Sequence, residues 1–421
     1  MPFPEPEKLL RGMFKAAVDA AMPSKVLPQH LPPRPAGRTI VVGAGKSAAA
    51  MARALEDNWD GPLEGLVVTR YGHGVRCRRI EVFEASHPVP DEAGVNAAER
   101  MLSLVKGLGP YDLVISLISG GGSSLLSLPA EGISLADKRL ATQALLKGGV
   151  PISGMNCVRK HISAIKGGRL AAAAYPAHVI NLIISDVPGD DPTAVASGPT
   201  VPDPTTREDA LQVIRQYGVE LPASVTRHLQ DKASETPKPG DACFANVETT
   251  LIASAQQSLE AAAGFARSKG FAPLILGDAI EAEARELGFA MAGIAKQVRR
   301  FSQPSRPPCV LISGGETTVT VKGNGVGGRN VEFLLALALK LEEAPGIFAL
   351  AADTDGIDGG AEVAGAVIDP TSLARACALN LTAWEALTNN DAHSFFAALG
   401  NQVLTGPTLT NVNDFRAILI T

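Results

Sequence analysis

A chain of 421 residues, 46% hydrophobic and 19% charged, has the apolar content for two buried cores, which excludes a disordered or low-complexity protein. A net charge of −5 argues against a nucleic-acid partner for the surface as a whole. The five cysteines (Cys77, Cys157, Cys243, Cys309, Cys377) are scattered and form no Cys-x-x-Cys pair, which argues against a zinc or iron–sulfur centre and fits a reducing compartment.

The opening stretch, MPFPEPEKLLRGMFKAAVDA, lacks the apolar run of a secretory signal, and the longest apolar run, 170–184, is broken by Pro176, His178 and Asn181. The expectation is a cytoplasmic protein with no membrane partner, working on a small molecule as a monomer or homodimer. Short apolar runs then alternate with amphipathic stretches, the pattern of an α/β architecture with mostly parallel strands. Strands are predicted at 38–43, 65–69, 80–86, 112–119 and 179–185, with helices at 47–57, 92–108, 134–148 and 154–174. The third helix opens on Ser134-x-x-Asp137, a capping-box pattern. The polar segment QDKASETPKPGDA (230–242) reads as a linker, giving domains 1–235 and 236–421. The alternation then restarts: strand 248–254, helix 255–269, strand 272–276, helix 281–301, strand 308–313, helix 330–341 and strand 346–352. No short repeat period is present.

Three glycine-rich turns follow strands. In the first, Gly45-Lys46-Ser47 is the second half of a P-loop, but position 40, where that pattern needs glycine, is Ile. Gly43, Gly45 and Ala48 do fit G-x-G-x-x-A, in which backbone N–H groups at a helix start receive phosphate. A dinucleotide site also needs an acid about 20 residues on; the second strand ends instead in Thr69 and Arg70, which suits only an NADP variant. Lys46 beside backbone donors makes an anion site, whereas a plain βα turn has little use for it. The second turn, SGGGSS, places Ser119, Gly120, Gly121, Gly122, Ser123 and Ser124 in one potential anion nest. The third, Gly314-Gly315-Glu316, is followed by a glycine loop ending in Arg329-Asn330 at a helix start.

Charge is segregated. Lys138 to Ser185 contains no Asp or Glu but holds Lys138, Arg139, Lys147, Arg159, Lys160, Lys166 and Arg169. At helical spacing, Val158, Ile162 and Ile165 mark an apolar face, and Asn156, Arg159, Lys160, Ser163 and Lys166 the other. Solvated faces usually mix both signs, so this one reads as anion-binding. The acids follow at strand ends: Asp186, Asp190 and Asp191, then Asp353, Asp355 and Asp358. Carboxylates at strand C-termini are where α/β proteins place ligand and Mg²⁺ groups. Cations and hard-metal carboxylates in glycine-framed loops are what phosphoryl transfer requires.

In order, GAGKSAAAMA, SHPVPD, SGGGSSLL, NCVRKHISAIKGGRLA, SDVPGDDPTAVASGPT, SGGETTV, GGRNVEF, DGIDG and TGPTLTNVNDF (405–415) resemble the type II glycerate kinases, the glycerate kinase/MOFRL family. The resemblance covers nearly the whole chain. Leu409, where glycine is expected, and Gly154, where an acid is common, depart from it. It implies a Rossmann-like N-terminal domain, a smaller C-terminal α/β domain, a cleft between them, and phosphorylation of D-glycerate with ATP and Mg²⁺, typically to 2-phosphoglycerate. Lys46 and Arg329 resemble the family's paired catalytic cations.

On this reading Ser119 to Ser124 hold nucleotide phosphates, with Gly43, Gly45, Gly314, Gly315 and Glu316 as further nucleotide contacts. Arg159 or Lys160 takes the glycerate carboxylate. Asp186 and Asp190 divide the roles of base and Mg²⁺ ligand, with Asp190 assigned to the metal. Two alternatives stand beside it: an NAD(P)H-dependent hydroxypyruvate reductase using the first turn, and a sugar-acid sensor without turnover.

Overall fold

The computed structural model describes residues 5–421. β1 (Thr39–Ala44) is buried at every position, as expected for a parallel strand covered on both faces. It belongs to a sheet with β2 (Glu64–Arg70), β3 (Ile80–Ala85), β4 (Leu113–Ser119), β5 (His178–Ile184) and β6 (Val247–Ala253), in the order β3-β2-β1-β4-β5-β6. β1 pairs in parallel with β2 and β4, β2 with β3, and β4 with β5. That order is Rossmann-like, and it sends the loops after β1, β3, β4 and β5 out of one edge, with the switch of direction between β1 and β4.

The second sheet contains β7 (Ala272–Gly277), β8 (Cys309–Ser313), β9 (Ile347–Asp353), β10 (Gly365–Ile368), β11 (Gln402–Val403) and β12 (Asp414–Ile420), ordered β11-β10-β9-β12-β8-β7. β7 and β8 are parallel, but β12 runs antiparallel to both β8 and β9, and β10 antiparallel to β9 and β11. This sheet is therefore mixed, where the sequence pattern suggested mostly parallel strands. β12 begins with Asp414 opposite Asp353, so its first residues lie at the carboxyl end of β9.

The chain divides into two units that differ from the expected split at 235. One is Pro23–Ile252; the other joins the stretch ending at Met22 to Ala253–Thr421. Two packing facts explain the difference. β6 is the sixth strand of the first sheet, so that unit runs on past the supposed linker, where Ser234 and Thr236 are buried and the Glu235 carboxylate takes a 2.5 Å ion pair from Lys238. Helix Pro6–Ala20 buries Leu9, Leu10, Met13, Phe14 and Ala17 in the same core as Leu259, Ala262, Ala263 and Ala266. Gly12 permits that approach, because a Cβ there would stand 2.5 Å from the Phe265 ring.

The predicted helix 154–174 is two helices, Ile152–His161 and Arg169–Ala174. The first ends at His161, and Gly167 (φ +58) and Gly168 (φ +82) take left-handed backbone just before the second begins. The face expected to bind an anion is not a surface: Asn156, Lys160, Ser163 and Lys166 are all buried. The helix predicted from the Ser134 capping box forms as Leu135–Lys147, and Ser134 Oγ accepts the Asp137 N–H at 3.0 Å.

Candidate active site

In the first unit the turn after β1 is packed against the loop after β4. Gly45 has φ +137, and a Cβ on it would lie 2.2 Å from Ser119 Oγ. Gly43 is equally confined, 2.5 Å from Leu117 O by the same construction. The turn's first donors are consumed internally: Gly45 N–H bonds Val68 O, Lys46 N–H bonds Gly120 O at 2.8 Å, and Ser47 N–H bonds Ser119 Oγ at 3.0 Å. Gly43 and Gly45 are therefore close-approach glycines, and the expectation that this turn's amides receive phosphate is corrected. Ser119 and Gly120 hold the turn in place through the same bonds.

What the turn offers instead is side chains. Gly121 (φ +78) would place a Cβ 3.2 Å from both His87 Nε2 and Lys46 Cγ, so both groups border it. Burial, with Lys46 and Arg70 nearby, pushes the His87 imidazole down to about 3. Burial, Arg70 and Lys46 lower His73 too. These imidazoles are neutral beside two fixed cations, an environment that favours an anion. Next along the loop, Gly122 packs on Ala196, Ser123 Oγ and Ser197 Oγ share a 2.8 Å hydrogen bond, and Ser124 Oγ donates to Gly121 O. Ala196 and Ser197 hold left-handed backbone (φ 51 and 61), a strained arrangement kept against the loop. His87 escaped the sequence reading although SHPVPD was recognised as a motif, because a lone His has no spacing signal.

The loop after β5 carries Asp186, partly buried, and Asp190 at φ 56. Neither belongs to a preformed metal cage: among the described residues no group of three or more His, Cys, Asp or Glu is placed to hold an ion. Asp191 is a turn former, accepting from the N–H and hydroxyl of Thr193 at 2.9 Å. Of the two predicted carboxylate binders, Lys160 is already committed: its Nζ lies 3.2 Å from Asp203 Oδ1, both side chains buried. Its substrate role is therefore corrected to a structural one. Arg159 is half-buried, with no hydrogen bond to it among the described residues.

The second unit concentrates acids around two arginines. Arg329 opens helix Arg329–Leu341 and reaches Glu316 (2.5 Å), Asp353 (2.7 Å) and Asp414 (2.8 Å). Asp414 also takes Arg416 at 2.5 Å and Asn330 Nδ2 at 2.8 Å. Glu316 therefore orients Arg329, and its negative charge makes it a poor phosphate contact. Gly314 N–H is spent on Gly277 O, and Gly315 (φ +110) abuts the Ile280 backbone, so these glycines also serve packing. Asp414 was within a recognised motif but unassigned.

Asp358 is a helix cap, accepting from Asn330 N–H (3.1 Å) and Val331 N–H (2.9 Å). Burial raises its carboxyl to about 7. A carboxyl whose folded pKa lies above the unfolded one contributes fully below about pH 4 and loses that contribution as pH rises through the folded value. Melting temperature should therefore decline from this source between about pH 4 and 7, and Asp358→Asn should flatten that limb of a Tm–pH curve.

Each unit thus presents charged side chains at a sheet edge, framed by glycine turns, an arrangement of the α/β enzyme class that acts on small anionic molecules. A family model described as a domain of unknown function (DUF4147) matches residues 9–230, and the MOFRL family model matches 309–414. A D-glycerate 2-kinase of Thermotoga maritima is 42% identical, covering 98% of each chain. A relative from Agrobacterium vitis, provisionally named a hydroxypyruvate reductase, is 54% identical over 98% of this chain and 94% of its own. The crystal structure of glycerate kinase from Thermotoga maritima superposes with a TM-score of 0.89 at 41% identity, covering 99% of both chains. The chain belongs to the glycerate kinase family with a MOFRL domain, and it is a kinase. Among the described residues no helix is long and apolar enough to cross a membrane.

Proposed function

We propose that the enzyme transfers the γ-phosphoryl group of ATP to D-glycerate, with Mg²⁺, forming 2-phosphoglycerate in the cytoplasm. The observation that carries this reading over hydride transfer is the spent first turn. Its Gly45, Lys46 and Ser47 amides bond the protein's own Val68, Gly120 and Ser119, whereas a dinucleotide fold needs such donors for pyrophosphate. Lys46, bordering Gly121 with His87, is suited to stabilise charge on the moving phosphoryl group. Arg329 is the corresponding cation of the other unit, held in a fixed pose by its carboxylates. Asp186 and Asp190 supply hard oxygen donors, and Mg²⁺ is commonly held by one or two carboxylates plus substrate phosphates, so this donor set fits the ion without a cage. When bound, Mg²⁺ would neutralise phosphate charge; Asp190 would hold it, and Asp186 would accept the glycerate hydroxyl proton or orient that hydroxyl. All five cysteines are free, which agrees with a reducing compartment.

The reading is tested by running D-glycerate with Mg·ATP beside hydroxypyruvate with NADH and NADPH. Formation of ADP with the first pair alone is expected, and pyridine-nucleotide oxidation with the second would replace the proposal. Arg159→Ala should raise the KM for glycerate more than that for ATP, by about 10- to 100-fold, since a charge-assisted contact contributes roughly 1.5–3 kcal/mol. An effect on the ATP KM alone would move Arg159 to the nucleotide. Asp190→Asn should raise the Mg²⁺ requirement and be partly rescued by Mn²⁺. Asp186→Asn should instead lose turnover at every metal concentration.

A further inference from the structure

Three cations of the acid-free window lie close together with no ion pair among the described residues. Lys138 and Lys166 are 4% and 0% exposed, and Arg159 stands at the half-buried position beside them. Lys138 Nζ donates to Leu128 O at 3.1 Å, and Lys166 Nζ to Ala196 O at 3.2 Å. Ser163 ties the two lysines together: its Oγ donates to the same Leu128 O at 3.0 Å and accepts the Lys166 N–H at 3.4 Å. None of the three cations has an ion pair among the described residues. Two buried polar atoms close by in sequence have no partner, Ser127 Oγ, one residue before Leu128, and Asn156 Oδ1, one helical turn before Arg159. Lys138 is pushed down to about 7 by burial and then by Arg159; Lys166 is lowered by burial, then by Lys138 and Arg159.

Like charges gathered in a water-poor interior are costly unless something neutralises them. Lys160, on the same helix, shows how this chain treats a purely structural lysine: it is paired with Asp203. We infer that Lys138, Arg159 and Lys166 form the carboxylate subsite of the phosphoryl acceptor, with Ser127 Oγ as a further donor. The inference rests on the reading that the chain phosphorylates glycerate and extends it to the acceptor class, 2-hydroxycarboxylates. The guanidinium of Arg159 matches a carboxylate, and an arriving anion favours the charged form of the two lysines behind it.

Placement accounts for the choice of hydroxyl. The carbonyl that holds Lys166 belongs to Ala196, which packs on Gly122, while Gly121 borders Lys46 and His87. Consecutive residues of one loop thus separate the Lys138–Arg159–Lys166 cluster from Lys46. A 2-hydroxycarboxylate anchored there presents the hydroxyl nearest its carboxylate toward Lys46. Of the three only Arg159 is more than slightly exposed, so an anion meets its guanidinium first, which suits a small terminal carboxylate better than a polyphosphate.

The test uses the full chain with Lys138→Met, Lys166→Met and, to keep a donor to Ala196 O, Lys166→Gln. Expected are an unliganded melting temperature equal to or above wild type, because a desolvated lysine without a counter-charge is removed, and a glycerate KM raised about tenfold or more with the ATP KM within about twofold. D-Glycerate alone should raise the melting temperature of wild type and not of the variants. An unchanged glycerate KM overturns the inference, as does a selective rise in the ATP KM, which would give the pocket to a nucleotide phosphate. If the Met variants fold poorly and Lys166→Gln folds with normal glycerate affinity, the lysines are structural pins and the inference falls. A wild-type protein that phosphorylates no glycerate, yet shows a glycerate-induced shift abolished by Lys166→Gln, removes the kinase reading while leaving the pocket standing.

Discussion

Lys46→Ala should lower kcat by about two to three orders of magnitude, the range seen when one preorganised transition-state donor is removed, while the melting temperature stays within a few degrees. The separation follows from how the turn is built. The backbone around Lys46 is fixed by Lys46 N–H to Gly120 O and by Ser47 N–H to Ser119 Oγ, bonds that alanine at 46 preserves. The side chain emerges half-buried beside Gly121 and His87, so its loss removes charge from the loop without opening a core. Lys46→Arg should fail as well. A planar, forked guanidinium cannot substitute for a compact ammonium at a tight turn. Steady-state kinetics with thermal melting on the same samples checks both statements; a variant with wild-type turnover would remove Lys46 from the chemistry.

Arg329→Ala should cost both fold and function. Three carboxylates, of which Asp353 and Asp414 are buried, would lose their shared counter-charge, and breaking such a pair typically costs about 3–5 kcal/mol. At roughly 2–4 °C per kcal/mol for a unit of this size, the melting temperature should fall by on the order of 10 °C. Arg329→Lys should recover part of the stability, since one ammonium cannot reach all three acids in fork geometry. The control is Glu316→Gln. Glu316 is 48% exposed, so its pair contributes about 1 kcal/mol or less. Equal melting temperatures for Arg329→Ala and wild type would contradict this account of the acid cluster.

The strands that frame the first site were legible because they are parallel and covered on both faces, so β1, β2, β4 and β5 read as continuous apolar runs. β6 was found but placed in the wrong unit: a polar, Pro-containing segment precedes it, and nothing in that composition reveals that Ser234 and Thr236 are buried. The helix over 154–174 was overextended because Ile162 and Ile165 keep helical spacing although the helix ends at His161 and the next begins only at Arg169.

At the site, residue types were legible and their partners were not. Gly43 and Gly45 carry a phosphate-binding pattern, yet the pattern cannot say that Ser119 approaches so closely and uses the amide of Ser47. The acid-free window was recognised as basic, but its lysines differ only by burial and pairing. Lys160 meets Asp203, while Lys138 and Lys166 meet carbonyls. Asp414 was missed for a topological reason. It begins an antiparallel strand, whereas the strand-end rule looks only at the carboxyl ends of parallel ones.

Phosphorus NMR of the protein incubated with D-glycerate and Mg·ATP tests the central claim most directly. Phosphorylation of the hydroxyl nearest the carboxylate predicts loss of the γ-phosphate signal and growth of a phosphomonoester signal split into a doublet by the single hydrogen on C2, absent with Lys46→Ala. A triplet from the two hydrogens on C3 would contradict the assigned hydroxyl. No new phosphoester at all, with NADH or NADPH consumed on addition of hydroxypyruvate, would contradict the proposed function itself.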